Sequence, residues 1–203
     1  VSLKNKFLEL WRRELIRRDG MMEIDGSQIM SKSVFEASGH LGNFADPIIK
    51  CKKCKSTFRA DRTISEISKI DIPESADLEE FDSAILQNNI KCPKCKGDFE
   101  NTRKFNMMFK VGIGPEEEAA YLRPETCQSI FVDFPRLFKT MRGKLPLGIA
   151  QVGKSFRNEI SPRQSLLRLR EFYQAEIEVF CNPTKLDEVE KFSEIADTII
   201  RIQ

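Results

Sequence analysis

Two short cysteine pairs constrain this chain more than any other feature of its sequence. Cys51 and Cys54 form one Cys-x2-Cys pair, and Cys92 and Cys95 form a second pair further along the chain. Four thiolates at this spacing suffice for one closed, tetrahedral zinc site, and they fit one metal better than distant disulfides. Because four protein ligands leave no open coordination position, we expect a structural zinc ion. Four reduced cysteines without a metal are the alternative.

The segment between the cysteine pairs differs in composition from its surroundings, because it carries the polar, acidic stretch DIPESADLEEFD. We therefore interpret residues 51–99 as an inserted zinc subdomain. Residues 1–50 and 100–182 are expected to form a common core, and residues 183–203 to begin a following helical segment. Lysines beside both pairs favour thiolates and give a local basic patch that could contact a polyanion. They are Lys52, Lys53, Lys55, Lys91, Lys94 and Lys96.

Composition excludes several classes of protein. Of the 203 residues, 40% are hydrophobic and 32% are charged, which is typical of a globular chain and argues against disorder or a membrane span. The formal net charge of +2 is too small to indicate nucleic-acid binding by bulk charge. The first residues contain neither an uninterrupted apolar stretch nor a cleavage site typical of a signal peptide, so we expect a cytoplasmic location.

Hydrophobic spacing predicts a mixture of helices and strands without internal repeats. We expect Gly39 to cap the second helix and Pro135 to kink the third. The expected helices cover residues 2–18, 31–40, about 124–141 and 184–203, and short strands are expected over residues 21–25 and 105–111.

Two later segments, LGIAQVGKSFRNE and REFYQAEIEVF, alternate polar and apolar residues with a period of two. The alternation predicts two strands, and the linker between them predicts an antiparallel hairpin with Arg163 and Arg168 at a basic tip. Tyr173 falls on the opposite, hidden face of the second strand. The residues on the two polar faces are Gln151, Ser155, Arg157 and Glu159 in the first strand, and Phe172, Gln174, Glu176 and Glu178 in the second.

If both polar faces point the same way, they form a floor of alternating charges. Arginines suit phosphate oxygens and carboxylates suit an ammonium group, so this floor would accept a zwitterion together with a polyphosphate. A solvated sheet face with opposite charges paired across strands is the alternative from the pattern alone.

The string FRNEISPRQ…LLRLREFYQAEIE closely resembles motif 2 of class II aminoacyl-tRNA synthetases, in particular the dimeric archaeal and eukaryotic type of glycyl-tRNA synthetase. EIDGSQIMSKSVFEASGHLGNFADP, FRAD and YLRPETCQSIFVDF resemble the same family, occur in its order and extend the likeness over nearly the whole chain. The resemblance implies an α/β fold of the α+β type, with the antiparallel sheet of the class II catalytic core flanked by helices and the zinc subdomain inserted.

The resemblance also implies roles for individual residues. Arg157 matches the catalytic arginine that contacts the α-phosphate of ATP, Glu159 the carboxylate that reads the adenine amino group, Arg168 the γ-phosphate ligand and Phe172 the ring that stacks on adenine. The implied ATP-binding residues are Arg157, Asn158, Glu159, Leu167, Arg168, Leu169, Arg170, Glu171 and Phe172. The implied glycine-binding residues are Glu125, Gln174, Glu176 and Arg59.

The implied activity is ATP-dependent activation of glycine with Mg²⁺, followed by transfer to tRNA(Gly), in a homodimer that does not enter a membrane. The third class II motif and the anticodon-binding domain do not occur before Gln203, so we expect a partial catalytic domain. A non-catalytic class II-like accessory or RNA-binding protein is one alternative. A class II synthetase of another specificity is a further one, which RPETCQS and QAEIE disfavour. Cys127 and Cys181 are expected to be small buried residues. For His40, a structural hydrogen bond near a helix end and a catalytic role both stay open.

Overall fold

The computed structural model describes residues 1–160 and 168–185. The tip of the expected hairpin at residues 161–167, which includes Arg163 and Leu167, and most of the expected last helix, residues 186–203, lie outside the described residues. The described chain forms two compact units. Residues 1–26, 129–152 and 175–185 belong to the first unit, and residues 27–128, 153–160 and 168–174 belong to the second.

Helices and strands alternate along the chain, as the hydrophobic spacing predicts. The helices are α1 Ser2–Trp11, α2 Lys32–Ala37, α3 His40–Asn43, α4 Ala60–Ser68, α5 Leu78–Gln87 and α6 Cys127–Thr140, with a π-helical segment at Arg12–Arg17 and a 3-10 turn at Pro183–Lys185. The strands are β1 Met22–Ile24, β2 Ile29–Ser31, β3 Ala45–Lys50, β4 Thr57–Arg59, β5 Arg103–Asn106, β6 Phe109–Ile113, β7 Glu118–Leu122, β8 Leu147–Phe156 and β9 Glu171–Phe180. Within the described residues, no helix is long and apolar enough to cross a membrane.

The first unit packs α6 against a sheet. The sheet has the order β1-β8-β9, and β1 pairs with β8 in parallel. Ile130 of α6 and Ile149 of β8 are fully buried in its core, and the rings of Phe134 and Phe180 stack with centroids 3.9 Å apart. The apolar side chains that predicted this helix are therefore only partly buried. Ile130, Phe134, Leu137 and Phe138 pack in the core, whereas Phe131 and Met141 are exposed.

The second unit contains two antiparallel sheets, of orders β2-β7-β6 and β4-β3-β5. The expectation of one strand over residues 105–111 is wrong, because β5 ends at Asn106 and β6 begins at Phe109. Two hydrogen bonds explain the break. The Met107 N–H donates to the Phe44 carbonyl, and the Met108 N–H donates to the side-chain oxygen of Asn106.

The segment predicted as a zinc subdomain has an apolar cluster of its own. Ile64 of α4 and Phe81 of α5 are fully buried in this cluster, together with Cys51 and Cys92. Ile49 of β3 packs in the same cluster. The boundaries at residues 51 and 99 stay a prediction.

Gly39 separates two short helices, as predicted. Its φ of +77° is left-handed, a conformation that glycine adopts without steric cost, and α2 ends just before it. The chain then enters α3 at His40. Asn106 donates from its side-chain amide to the carbonyls of His40 and Leu41, which fixes α3 beside β5.

Arg123 is the largest fully buried side chain among the described residues. Its Nε donates to the Lys154 carbonyl at 2.9 Å, and its Nη1 lies 3.5 Å from the Ser27 carbonyl. The guanidinium lies against Gly153, where an added Cβ would overlap it. The close approach of this arginine to β8 therefore requires glycine at position 153.

We predict that Gly153→Ala lowers the free energy of unfolding by at least about 1–3 kcal/mol, because the new methyl group must displace a buried, hydrogen-bonded cation. Gly42→Ala is the matched control, because Gly42 lies within α3 and its Cβ would have nothing within 4 Å. Urea unfolding of both variants tests the prediction. Equal midpoints would contradict it.

Candidate active site

β8 and β9 form the predicted hairpin, because the end of β8 lies beside the start of β9. The Arg157 N–H donates to the Arg170 carbonyl at 3.0 Å, and Lys154 pairs with Glu171 at 2.5 Å. Polar side chains of this hairpin are buried. Gln151 and Ser155 are fully buried, whereas Tyr173, predicted on a hidden face, is half exposed. That prediction is wrong, because Tyr173 lies on the more exposed side of β9.

Arg157 has an aromatic ring on each side. Its guanidinium carbon lies 5.4 Å from the centroid of Phe44 and 5.2 Å from that of Phe172, which are both cation–π distances. Its Nε donates to the Pro124 carbonyl at 3.3 Å. Phe172 and Arg157, both predicted on the polar faces of the hairpin, are thus in contact, and Phe44 joins the site unpredicted.

Glu125 is the carboxylate next to this arginine. Its Oε1 lies 3.5 Å from Arg157 Nη2. Its Oε2 receives three further groups at 3.3–3.5 Å: the Gln128 amide, the His40 Nε2 and the Cys127 thiol. Both oxygens of Glu125 therefore have donors, which fix the orientation of the carboxylate.

Glu159 forms a second ion pair on the same stretch of chain. Its carboxylate accepts from Arg168 Nε at 2.8 Å, and its backbone carbonyl accepts from Arg170 Nε at 3.0 Å. The Asn158 N–H donates to the Met107 carbonyl at 2.7 Å, so the break between β5 and β6 supports this part of the site. Glu159 is buried, which strengthens its attraction to Arg168.

Arg59 lies among carboxylates. It pairs with Asp46 at 3.1 Å, with Asp61 through two nitrogens, and with Glu74. Burial alone would lower the pKa of Arg59, but its hydrogen bond to Asp61 and the charge of Asp46 outweigh burial and raise that pKa. Burial raises the pKa of Asp46, although the charge of Arg59 opposes this shift. The predicted glycine-binding role of Arg59 stays a prediction.

Glu176 and Glu178 belong to the first unit. Burial, followed by the charge of Glu176, raises the pKa of Glu178 above its ordinary value. Two neighbouring carboxylates that repel each other would be stabilised by a cation such as an ammonium group. The role of Glu176 in binding glycine remains a prediction, as does that of Gln174.

The four cysteines of the two pairs meet as predicted. All four sulfur atoms lie within 4.8 Å of one another, with Cys51–Cys95 at 3.5 Å and Cys54–Cys92 at 3.7 Å. Four sulfurs bound at about 2.3 Å to one tetrahedral zinc ion would be roughly 3.8 Å apart. The donor set and its spacing are therefore compatible with zinc.

The same turn is built twice around these cysteines. The Lys55 N–H donates to the Cys51 carbonyl at 3.0 Å, and the Lys96 N–H donates to the Cys92 carbonyl at 2.9 Å. Lys55 and Lys96 have φ values of 58° and 60°, so each turn closes through a left-handed residue. Gly97 allows the turns to approach, because its Cβ would lie 3.3 Å from the Cys51 sulfur.

Two thiols of the cysteine cluster have pKa values shifted in opposite directions. Hydrogen bonds from Ser56 lower the pKa of Cys54 to about 6. A hydrogen bond from the Gly97 backbone lowers the pKa of Cys95, but burial and the neighbouring cysteines raise it to about 11. Four thiolates in this space would repel one another, and a bound divalent cation removes that repulsion.

Three residues of the site were not predicted from the sequence: Phe44, Asp46 and Gln128. For His40, the sequence left both a structural hydrogen bond and a catalytic role open, and the structure places its ring 3.5 Å from Glu125. Cys127 is partly buried, and Cys181, expected to be buried, is exposed. The only sequence signal for these residues is that EASGH and FADP belong to a segment that resembles the synthetase family. Their contacts are with residues far away along the chain, which local sequence patterns do not reveal.

Residues 108–202 match the family described as tRNA synthetase class II core domain (G, H, P, S and T). Over 98% of its length, the chain is 47% identical to the glycine–tRNA ligase of Methanocaldococcus jannaschii. The chain is a relative of the glycine–tRNA ligases. It is also 48% identical over its whole length to the glycine–tRNA ligase of Pyrococcus furiosus. It spans about a third of the length of these relatives, 34% and 35% respectively.

The fold of this glycine–tRNA ligase relative is also found in a solved structure. The crystal structure of the RNA binding domain of threonyl-tRNA synthetase from Cryptosporidium parvum Iowa II matches 95% of this chain with a TM-score of 0.54. The sequence identity is 21%, and the match covers 32% of that chain. At this identity the likeness concerns the fold alone.

We predict that the protein contains about one zinc ion per chain, bound by Cys51, Cys54, Cys92 and Cys95. Cys92→Ser should lower the zinc content in elemental analysis, because it removes one of four ligands. Cys181→Ser is the control, since Cys181 is exposed and outside the cluster. A chelator should increase amide hydrogen exchange in residues 51–99 before it does so in β6 and β7. A metal-free protein of equal stability would contradict this prediction.

Proposed function

We propose that this chain is part of the catalytic domain of a glycine–tRNA ligase, which activates glycine with ATP and transfers it to tRNA(Gly). One observation carries the proposal: Glu125 and Arg157 lie 3.5 Å apart, with Phe172 against the arginine. A carboxylate and an arginine at this distance can bind the ammonium group of an amino acid and a phosphoryl oxygen side by side. The sequence identity to curated glycine–tRNA ligases supports the same conclusion.

Arg157, Phe172 and Arg168 form the nucleotide side of the proposal. Arg157 contacts the α-phosphate, Phe172 stacks on the adenine ring and Arg168 leaves Glu159 to bind the γ-phosphate. Glu159 then accepts from the adenine amino group, so the ion pair keeps both groups satisfied until ATP enters. The remaining residues of the nucleotide side, given by the resemblance, are Asn158, Leu167, Leu169, Arg170 and Glu171.

Glu125 forms the amino-acid side of the proposal, and the resemblance adds Gln174, Glu176 and Arg59. Glycine offers only an ammonium group and a carboxylate, so it is recognised by charge pairing and by exclusion of larger side chains. The donors around Glu125 hold its carboxylate in one orientation. A fixed anion binds an ammonium group without a further loss of side-chain entropy.

The reaction consists of an adenylyl transfer followed by an acyl transfer. A carboxylate oxygen of glycine attacks the α-phosphorus, the bond to the β-phosphate oxygen breaks, and pyrophosphate leaves with the electron pair. A ribose hydroxyl of the tRNA then attacks the glycyl carbonyl, the bond between the carbonyl carbon and the α-phosphate oxygen breaks, and AMP leaves with the electron pair. The leaving phosphate accepts the proton that the hydroxyl loses. Arg157 stabilises negative charge that develops on the α-phosphoryl oxygens, an effect typically of a few kcal/mol. Glycine itself supplies the first nucleophile.

Zinc, magnesium and a second subunit complete the proposal. Zinc bound by the four cysteines is structural, because no ligand position is left open. Magnesium prefers oxygen ligands and would be bound through the phosphates of ATP. Lysines near the cysteines give tRNA a cationic surface, and the full-length protein is proposed to be a cytoplasmic homodimer.

The test uses the full-length protein and glycine-dependent exchange between ATP and pyrophosphate. We predict that Glu125→Gln raises the KM for glycine by about tenfold to a hundredfold, because it keeps the shape but removes the charge that faces the ammonium group. The KM for ATP should change much less. Glu36→Gln is the control, since Glu36 is an exposed residue of α2 that pairs with Lys32 on the same helix.

Two results would contradict the proposal. A full-length protein with intact ATP binding but no glycine-dependent exchange would favour the non-catalytic accessory. An unchanged KM for glycine in Glu125→Gln would instead remove Glu125 from the amino-acid site and leave the activity intact.

A further inference from the structure

His40 lies beside the proposed amino-acid site without a role in the reaction described above. Its Nε2 is 3.5 Å from Glu125 Oε2, and its Nδ1 is 2.9 Å from the Ser38 hydroxyl. The side chain is only 16% exposed. A histidine that lies between a hydroxyl and a carboxylate in this way has its ring oriented by the first partner and its other nitrogen directed at the second.

We propose that His40 is a positioning residue that fixes the Glu125 carboxylate for the ammonium group of glycine. The inference rests on the proposed function, and it adds a residue to which neither sequence reasoning nor the comparisons gave this role. In this proposal the Ser38 hydroxyl donates to Nδ1, the ring proton stays on Nε2, and Nε2–H is directed at Glu125 Oε2, 3.5 Å away.

The surroundings of His40 leave its ring little freedom. It contacts Phe35 edge-on, with ring centroids 6.2 Å apart, and Phe44 at 5.4 Å. Its backbone carbonyl accepts from the Asn106 amide, and Gly39 sets the direction in which α3 begins. A ring held by packing on its faces and by a hydrogen bond at Nδ1 can present Nε2–H at a constant position.

The charge of the donor explains why an imidazole suits this position. Arg157 faces the other oxygen of Glu125, and the proposed function engages Arg157 with the α-phosphate. Glu125 then needs donors that orient it without cancelling its charge. The His40 imidazole and the Gln128 amide can donate in this way, whereas a permanent second cation such as lysine would compete with the ammonium group of glycine.

Three substitutions of His40 separate positioning from packing. Glutamine places an amide N–H near the position of Nε2, asparagine reaches only the position of Nδ1, and alanine supplies neither. In the full-length enzyme, we expect His40→Ala and His40→Asn to raise the KM for glycine about tenfold in pyrophosphate exchange, the typical effect of one lost hydrogen bond to a charged group. His40→Gln should stay within about threefold of wild type, and the KM for ATP should stay nearly constant in all three.

Ser38 gives an independent variant. Ser38→Ala removes the donor to Nδ1, so the proton can move there and Nε2 then presents a lone pair to the carboxylate. We expect Ser38→Ala to raise the KM for glycine severalfold and Ser38→Thr, which keeps the hydroxyl, to leave it unchanged.

The outcomes are distinct. Glycine-specific loss in His40→Ala and His40→Asn with rescue by His40→Gln supports the proposal. Wild-type kinetics in all three variants overturn it, and so does an equal loss in all three that affects both KM values and lowers the thermal midpoint, because that pattern reflects packing alone. A wild-type enzyme without glycine-dependent exchange would mean that the proposed function, and with it this inference, is wrong.

Discussion

A buried arginine holds the second unit together. The side chain of Arg123 donates to the carbonyls of Lys154 and Ser27, and its own backbone joins the same segments. The Arg123 N–H donates to the Gln28 carbonyl, and the Phe156 N–H donates to the Arg123 carbonyl. A buried cation is stable only when its donors are used, so the fold must keep these strands together.

The candidate site follows directly from this constraint. Glu125 lies two residues after Arg123, and Arg157 follows Phe156, so the bonds made by Arg123 place the two charged side chains beside each other. Asn158, next in the chain, is bonded to Met107. The carboxylate and the guanidinium therefore meet because of backbone hydrogen bonds, and their own attraction adds to an arrangement already made. Such preorganisation is what a site that binds charged substrates needs.

Sequence reasoning succeeded where the signal is local. The spacing within each cysteine pair encodes a tight turn, and both turns close through the same hydrogen bond at Lys55 and Lys96. The left-handed Gly39, the helix near residues 124–141 and the two strands of the hairpin are local in the same sense. The prediction of one strand over residues 105–111 was wrong because the interruption at Met107 depends on a hydrogen bond to Phe44. Hydrophobic periodicity cannot reveal a partner so far away along the chain.

The burial of the hairpin faces shows the second limit of the pattern. Alternation assigns residues to two faces correctly but does not say which face is covered, since that depends on what packs against it. Here Gln151, Ser155 and Glu159 are buried, and Tyr173 and Val179 are half exposed. Buried polar side chains on a strand are costly unless they are bonded, and charged ones are rare without partners. A polar face that a protein covers is therefore a stronger sign of a binding site than the same face left in water, and it favours the floor of paired charges over a solvated sheet.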